Sequence, residues 1–501
     1  MLRETLEWAG WTPRRLERAL RAQGLKGTRY RLFTGDVREN ARLNREARTK
    51  PLPLGCHDIA PRVLPMIHSV IKEHEAGSAG KFSFTWFGPK PRVMIPDPEL
   101  VREIFSKFGE FCKPKPSRID KLLANGVVNH EGEKWAKHRR ILNPAFHHEK
   151  IKRMQPVFST CCIEMITRWE NSMSSEGSSD IDVWPEFQNL TGDVISRTAF
   201  GSSYHEGRKI FELQQELAQR LIQSFPAILI RGYWFLPTRN NTRIREIDRE
   251  IRKILSGIIG KREKAIKNGE TNNDDLLGLL VKSNMCESNG NARLGMTTED
   301  IIQECKLFYF AGMETTAVLL TWTLVLLSMH PEWQERAREE VSHHFGRARP
   351  DFDSLKHLKI VTMILYEVLR LYPPFVLLIR RTCKEMELGG VKYAAGVNIV
   401  LPLLFIHHDS TIWGKDASDF NPERFADGIS NATKHQAAFF PFGGGPRICI
   451  GQNFALLEAK IALCTILQQF SFELSPSYTH APYTVTTLQP QHGAQIKLKK
   501  L

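Results

Sequence analysis

Residues 441–451 read PFGGGPRICIG. Three glycines, a proline and an arginine lead to Cys449, and an apolar stretch with helical patterning, FALLEAKIALCTILQQF, follows. A loop stripped of side chains lets its backbone come close to a large flat ligand. The helix behind it turns a positive end towards the cysteine, which stabilises a thiolate as metal ligand or nucleophile. The run lacks the Gly-Lys-Ser/Thr ending of a phosphate loop. A lone cysteine is ordinarily a small buried hydrophobe. The glycines and Arg447 favour a ligand instead, and a lone thiolate with an open opposite face suits haem iron.

Three other segments carry polar groups in apolar surroundings. In TMILYEVLRLY, Glu367 and Arg370 are three residues apart on one helix face among Ile364, Leu365, Val368, Leu369 and Leu371. A buried pair needs further hydrogen-bond partners, and Arg424 in FNPERF is a candidate third member of a structural clamp. In FAGMETTAVLL, Glu314 and Thr315 interrupt an apolar helix just after Ala311 and Gly312. A hydroxyl there can bond back to a preceding carbonyl and distort the helix, and a carboxylate beside it can relay protons into a pocket. In EKWAKHRR, Trp135 and Arg139 lie four apart and can present an indole N–H and a guanidinium to one anion.

The 501 residues are 42% hydrophobic and 25% charged, ordinary for a globular chain, with no repeat and no long linker. Helical periodicity dominates from about residue 98 to 371, and strand-like pieces such as KFSFTWFG and RVMIP flank it, so the expected class is mainly α with a minor β region. Nine cysteines without a CxxC pair predict free thiols rather than a disulfide framework. Net charge is +14, and residues 1–50 carry thirteen Lys/Arg against six Asp/Glu, half of that excess. Without a zinc spacing or interleaved aromatics, nucleic acid is not the expected partner. A membrane-facing basic segment over residues 1–50 is the better expectation, with one catalytic domain over 51–501. The longest apolar stretch, VLLTWTLVLLSM, is too short to span a bilayer and predicts a buried core helix.

Together these segments resemble the cytochrome P450 family of haem-thiolate monooxygenases. The pattern F-x-x-G-x-R-x-C-x-G is complete as Phe442, Gly445, Arg447, Cys449 and Gly451; E-x-x-R is Glu367 and Arg370; P-x-R-F is Pro422, Arg424 and Phe425. A-G-x-E-T-T is Ala311, Gly312, Glu314, Thr315 and Thr316, and W-x-x-x-R is Trp135 and Arg139, all in family order. The resemblance implies haem b, buried between a long central helix and the cysteine loop. Cys449 would bind the iron, with the glycine loop admitting the porphyrin edge and Phe442 packing on the sulfur. Trp135, Arg139, Arg381 and Arg447 would hold the propionates, since a buried dianion requires fixed cationic donors. Glu314 and Thr315 would deliver protons for dioxygen chemistry.

GDVREN, KEMELGG and LQPQHGA resemble the plant 72 family, whose members oxidise terpenoid and steroid-like molecules such as iridoid glucosides (secologanin synthase among them), gibberellins and triterpenes. That likeness implies a pocket lined from 113–128, from 221–236, by Ala311, and by Phe375, Val376, Leu377 and Thr487. It also implies electrons from NADPH through a separate cytochrome P450 reductase, docked near Lys434 and Arg447. Family members begin with a hydrophobic anchor to the cytosolic face of the endoplasmic reticulum, and this chain starts where such an anchor would end. A haem-thiolate isomerase or dehydratase working without dioxygen, and a non-catalytic haem or lipid binder, are the alternatives. The intact Glu314–Thr315 pair weighs against both.

Overall fold

The long helix Thr298–Met329 sets the architecture of the computed structural model, which describes all residues except 1–3, 5–6, 76–81, 117, 124, 176, 202–203, 225–232, 270–274, 289–294 and 434–437. Lys434 and parts of the expected pocket wall at 113–128 and 221–236 lie outside the described residues. The helix starts at a capping box, in which Thr297 and Asp300 satisfy each other's backbone N–H groups, and it ends where Pro331 opens the next helix. It is apolar on nearly all sides. By length and composition it could cross a bilayer, but 78% of its apolar window is buried inside the protein. Other helices cover it instead.

Three of those helices matter for the site. Val183–Phe200 packs along the middle of the central helix, so closely that a Cβ on Gly312 would lie 2.9 Å from Ile195 Cγ1. Lys359–Leu371 and Gln452–Gln469 pack on it as well, the second being the helix expected behind Cys449. The helix Gly132–Leu142 carries Trp135 and Arg139 and gives way at Pro144 to a 3-10 turn, Asn143–Phe146.

The two strand-like pieces of the amino-terminal part form a hairpin, Ser83–Phe87 with Lys90–Met94. It belongs to a six-stranded sheet with Lys26–Gly27, Asn398–Leu401, Leu378–Thr382 and Phe111–Cys112. The last pairing sets Cys112 opposite Arg381 and therefore on the same face as Cys383, two residues on. The two cysteines are joined as a disulfide with Cα atoms 6.1 Å apart. This corrects the expectation that the thiols are free. Strand register brought together residues 271 apart, and a search for CxxC spacing is blind to such a pair.

Glu367 and Arg370 are both fully buried. Arg370 donates to Glu367 at 2.7 and 2.8 Å and to the carbonyls of His407, Ala417 and Asp419 at 2.8, 2.7 and 3.1 Å. Glu367 also accepts the Asn421 N–H at 2.9 Å, and Arg424 Nε lies 3.6 Å from it while its other nitrogens bind Asp416 and Trp413 O. The pair thus ties one helix to the irregular segment 407–424, where few regular backbone bonds exist. Every charge has partners, which is the condition for burying it. Arg370→Ala would leave a carboxylate stranded, and a loss of about 3–5 kcal/mol is expected. Denaturant unfolding of the variant reads this directly; a midpoint equal to wild type would contradict the clamp.

Candidate functional site

Backbone sterics at the cysteine loop come first. Gly443 and Gly445 have φ of +73° and +64°, conformations that side chains disfavour. A Cβ on Gly444 would sit 2.7 Å from the Phe105 ring, and one on Gly445 would strike the Phe105 carbonyl. Phe105 lies at the end of the helix Pro98–Ser106 and packs edge-on against Phe440. Two of the three glycines therefore make room for protein, where the sequence had suggested room for a ligand edge. The third faces Leu378, whose Cδ1 would lie 3.8 Å from a Cβ on Gly443.

After the turn Gly445–Arg447 the chain presents Cys449, whose own N–H donates to Phe442 O at 3.0 Å. Its side chain is exposed, yet burial among surrounding groups pushes the thiol up, opposed by the Gly451 N–H and the Arg139 guanidinium. A side chain that is both accessible and crowded lines an internal space. Gly451 thus touches the sulfur through its backbone, and Phe442 is half-buried against the core.

Basic side chains gather beside this loop. Arg447 lies over the Trp135 ring, 4.5 Å from its centroid, and its Nη2 donates to Glu131 at 2.6 Å. Arg139 Nη1 donates to Ile448 O at 2.9 Å, next to the sulfur. Lys113 is pushed down to about 7 by burial and by Arg380 and Arg447, and Arg380 to about 10 by burial and Arg447. Arg447 Nη1 is buried and finds no hydrogen-bond partner. Mutually repelling cations with an orphaned N–H among them fit a buried dianion. Together with the thiol in its internal space, this donor set fits haem and its two carboxylates. Lys113 and Glu131 carry no motif that would place them here, and Arg380 is the immediate neighbour of the expected Arg381, from which spacing after Pro373 and Pro374 does not separate it. Arg380 and Arg381, adjacent on a strand, point to opposite faces; Arg380 shares the field of Arg447 and lies over the Phe105 ring, and Arg381 shares that of Lys90. This corrects the expected place of Arg381 beside the propionates in favour of its neighbour.

Above the helix axis, Thr315 donates to Ala311 O at 2.9 Å, and the helix stays continuous through this step. Thr191 binds the Met313 carbonyl at 2.8 Å from the neighbouring helix. Glu314 is buried, and burial raises its pKa against the bonds it accepts from Thr487 at 2.6 Å, from Gln489 and from Gln188 at 3.3 Å. Thr487 is fully buried with its hydroxyl committed to Glu314. This corrects its expected place on the pocket wall: it orients the carboxylate instead. Val376 is likewise buried at 3% exposure, whereas Ala311 and Leu377 are half-buried and Phe375 is 42% exposed.

A family model, Cytochrome P450, matches residues 59–498. Cytochrome P450 CYP72A616 of Paris polyphylla is 60% identical over 100% of this chain and 96% of its own length. Cytochrome P450 72A397 of Kalopanax septemlobus is 55% identical over 99% and 95%. The 11-oxo-beta-amyrin 30-oxidase of Glycyrrhiza uralensis is 54% identical over 98% and 93%. The chain belongs to the cytochrome P450 family. It is a monooxygenase with haem as cofactor, and a redox partner, dioxygen and a hydrophobic substrate go with that family. When bound, thiolate-ligated haem supplies activation of dioxygen.

Thr487 stabilises the charged form of Glu314, so Thr487→Val would raise the Glu314 pKa further. The acid limb of product formation per NADPH consumed is then expected to move to higher pH in Thr487→Val and to stay in place in Thr487→Ser. An unmoved limb in both variants would show that Glu314 is not the titrating group.

Proposed function

We propose that this protein inserts one oxygen atom from dioxygen into a C–H bond of a hydrophobic terpenoid, with a triterpenoid as the favoured skeleton. The observation that carries this reading is the 54% identity, over nearly the whole of both chains, to a relative named as an oxidase of 11-oxo-beta-amyrin. Electrons come from NADPH through a separate reductase. The half-buried Ala311 and Leu377 and the exposed Phe375 supply apolar surface for the substrate.

Each role follows from the chemistry of the residue. Cys449 would hold the haem iron through its sulfur, which the Gly451 N–H and the Arg139 charge both favour as the thiolate. Arg447, with its unsatisfied N–H, and the buried Arg380 beside it would hold the carboxylates of the cofactor, and Trp135 supports Arg447 from one face. Glu314 holds or releases a proton at its carboxyl, set by Thr487, Gln489 and Gln188, and Thr315 keeps a hydroxyl beside it. Trp8 and Trp11, 46% and 61% exposed and followed by Arg14 and Arg15, suit the interface of an endoplasmic reticulum membrane.

The test is reconstitution with a plant reductase, NADPH and isotopically labelled dioxygen, against a panel of triterpenes, gibberellins and iridoids. A reductase-dependent product carrying one labelled oxygen is expected from a triterpene. Turnover confined to the gibberellins or iridoids would overturn the triterpenoid reading, and product without label would overturn monooxygenation.

A further inference from the structure

The helix Gly132–Leu142 meets the first turn of Thr298–Met329 through side chains that the haem site does not use. His138 is fully buried, and its Nδ1 lies 2.6 Å from Glu304 Oε1, itself on a fully buried carboxylate. Its Nε2 has no hydrogen-bond partner and faces Asp300 Oδ1 at 3.9 Å. His130 stands edge-on to His138, ring centroids 4.5 Å apart, and its Nε2 is also buried without a partner. One ligand atom from each of His130, His138 and Asp300 can be chosen so that all lie within 4.8 Å of one another.

Hydrogen bonding alone does not account for this group. A carboxylate on Nδ1 fixes that nitrogen as the donor and leaves Nε2 with a lone pair. That nitrogen then lies 3.9 Å from the Asp300 oxygen, two electron-rich atoms near each other with no hydrogen bond to Nε2. If Nε2 carried a proton instead, 3.9 Å would still be too long for a hydrogen bond. Asp300 Oδ2 is taken up by the Thr297 cap, so Oδ1 is the oxygen that faces the cluster. Only Lys134 reaches Oδ1 among the described residues, at 2.6 Å, and its side chain is 50% exposed and able to swing away.

We propose that His130, His138 and Asp300 bind a divalent transition-metal ion of the zinc class, with Glu304 orienting His138 and a fourth position left to water. Two imidazoles and one carboxylate suit zinc, cobalt or nickel, whereas calcium and magnesium require oxygen ligands. Bonds of about 2.0–2.1 Å place tetrahedral ligand atoms roughly 3.3 Å apart, which small side-chain rotations from the present spacing reach. The carboxylate–histidine pair is the arrangement that fixes tautomer and ring direction for a metal. A bound ion would fasten the helix carrying Trp135 and Arg139 to the central helix.

The experiment uses full-length, untagged, haem-loaded protein stripped with a chelator and dialysed against zinc or cobalt. One tightly held equivalent is expected, with a tetrahedral cobalt absorption band and a rise in the thermal midpoint. His130→Ala, at a half-exposed position, is expected to weaken binding by tenfold or more, while Lys134→Ala, which removes the competing cation, strengthens it. Asp300→Asn serves as a second ligand variant, and haem content in each variant reports that the fold is kept. Absence of binding, or binding equally strong in His130→Ala and Asp300→Asn, would overturn the site.

Discussion

The contact between Phe105 and the backbone at Gly444 and Gly445 is the constraint on which the rest of the site depends. Only a chain without side chains can pass beneath that ring and carbonyl. Gly445 adds a left-handed φ, so the turn that follows has a single low-strain route. That route delivers Cys449 to an internal space and starts the helix Gln452–Gln469 directly behind it. Two remote features hold the arrangement: Leu378 against Gly443 on one side, and Arg139 on the Ile448 carbonyl on the other.

Electrostatics around the loop run against ordinary burial. Arg447, Arg380 and Lys113 repel one another, with Glu131 the carboxylate that answers them. Protein stability alone would not gather them. Their natural complement is a buried dianion, and the orphaned nitrogen of Arg447 marks where its charge is lacking. Glu314 is the opposite case: a carboxyl made less acidic by burial, restrained by three donors so that its charge stays within reach. Cationic cradle and tuned acid lie on different elements, so a change in one need not disturb the other.

Much of this was legible in the sequence, and the reason is local chemistry. Gly443 to Cys449, Glu367 with Arg370, and Glu314 with Thr315 each sit within a few residues of their partners, so spacing alone carries the meaning. The central helix was legible too, because a capping box and an unbroken apolar run define it. What stayed hidden is whatever depends on strand register or on contacts between distant segments. Cys112 finds Cys383 only through the pairing of Phe111–Cys112 with Leu378–Thr382. Thr487 turned from expected pocket wall to partner of Glu314 for the same reason, 173 residues separating them. His138 and Glu304, 166 apart, carry no motif at all.

The central claim is that the Cys449 sulfur binds haem iron. The carbon monoxide difference spectrum of the reduced protein tests it most directly. A strongly red-shifted Soret band is expected in the wild type, and its loss in Cys449→Ser. A haem-free protein, a band typical of histidine ligation, or a red-shifted band that survives Cys449→Ser would contradict the account.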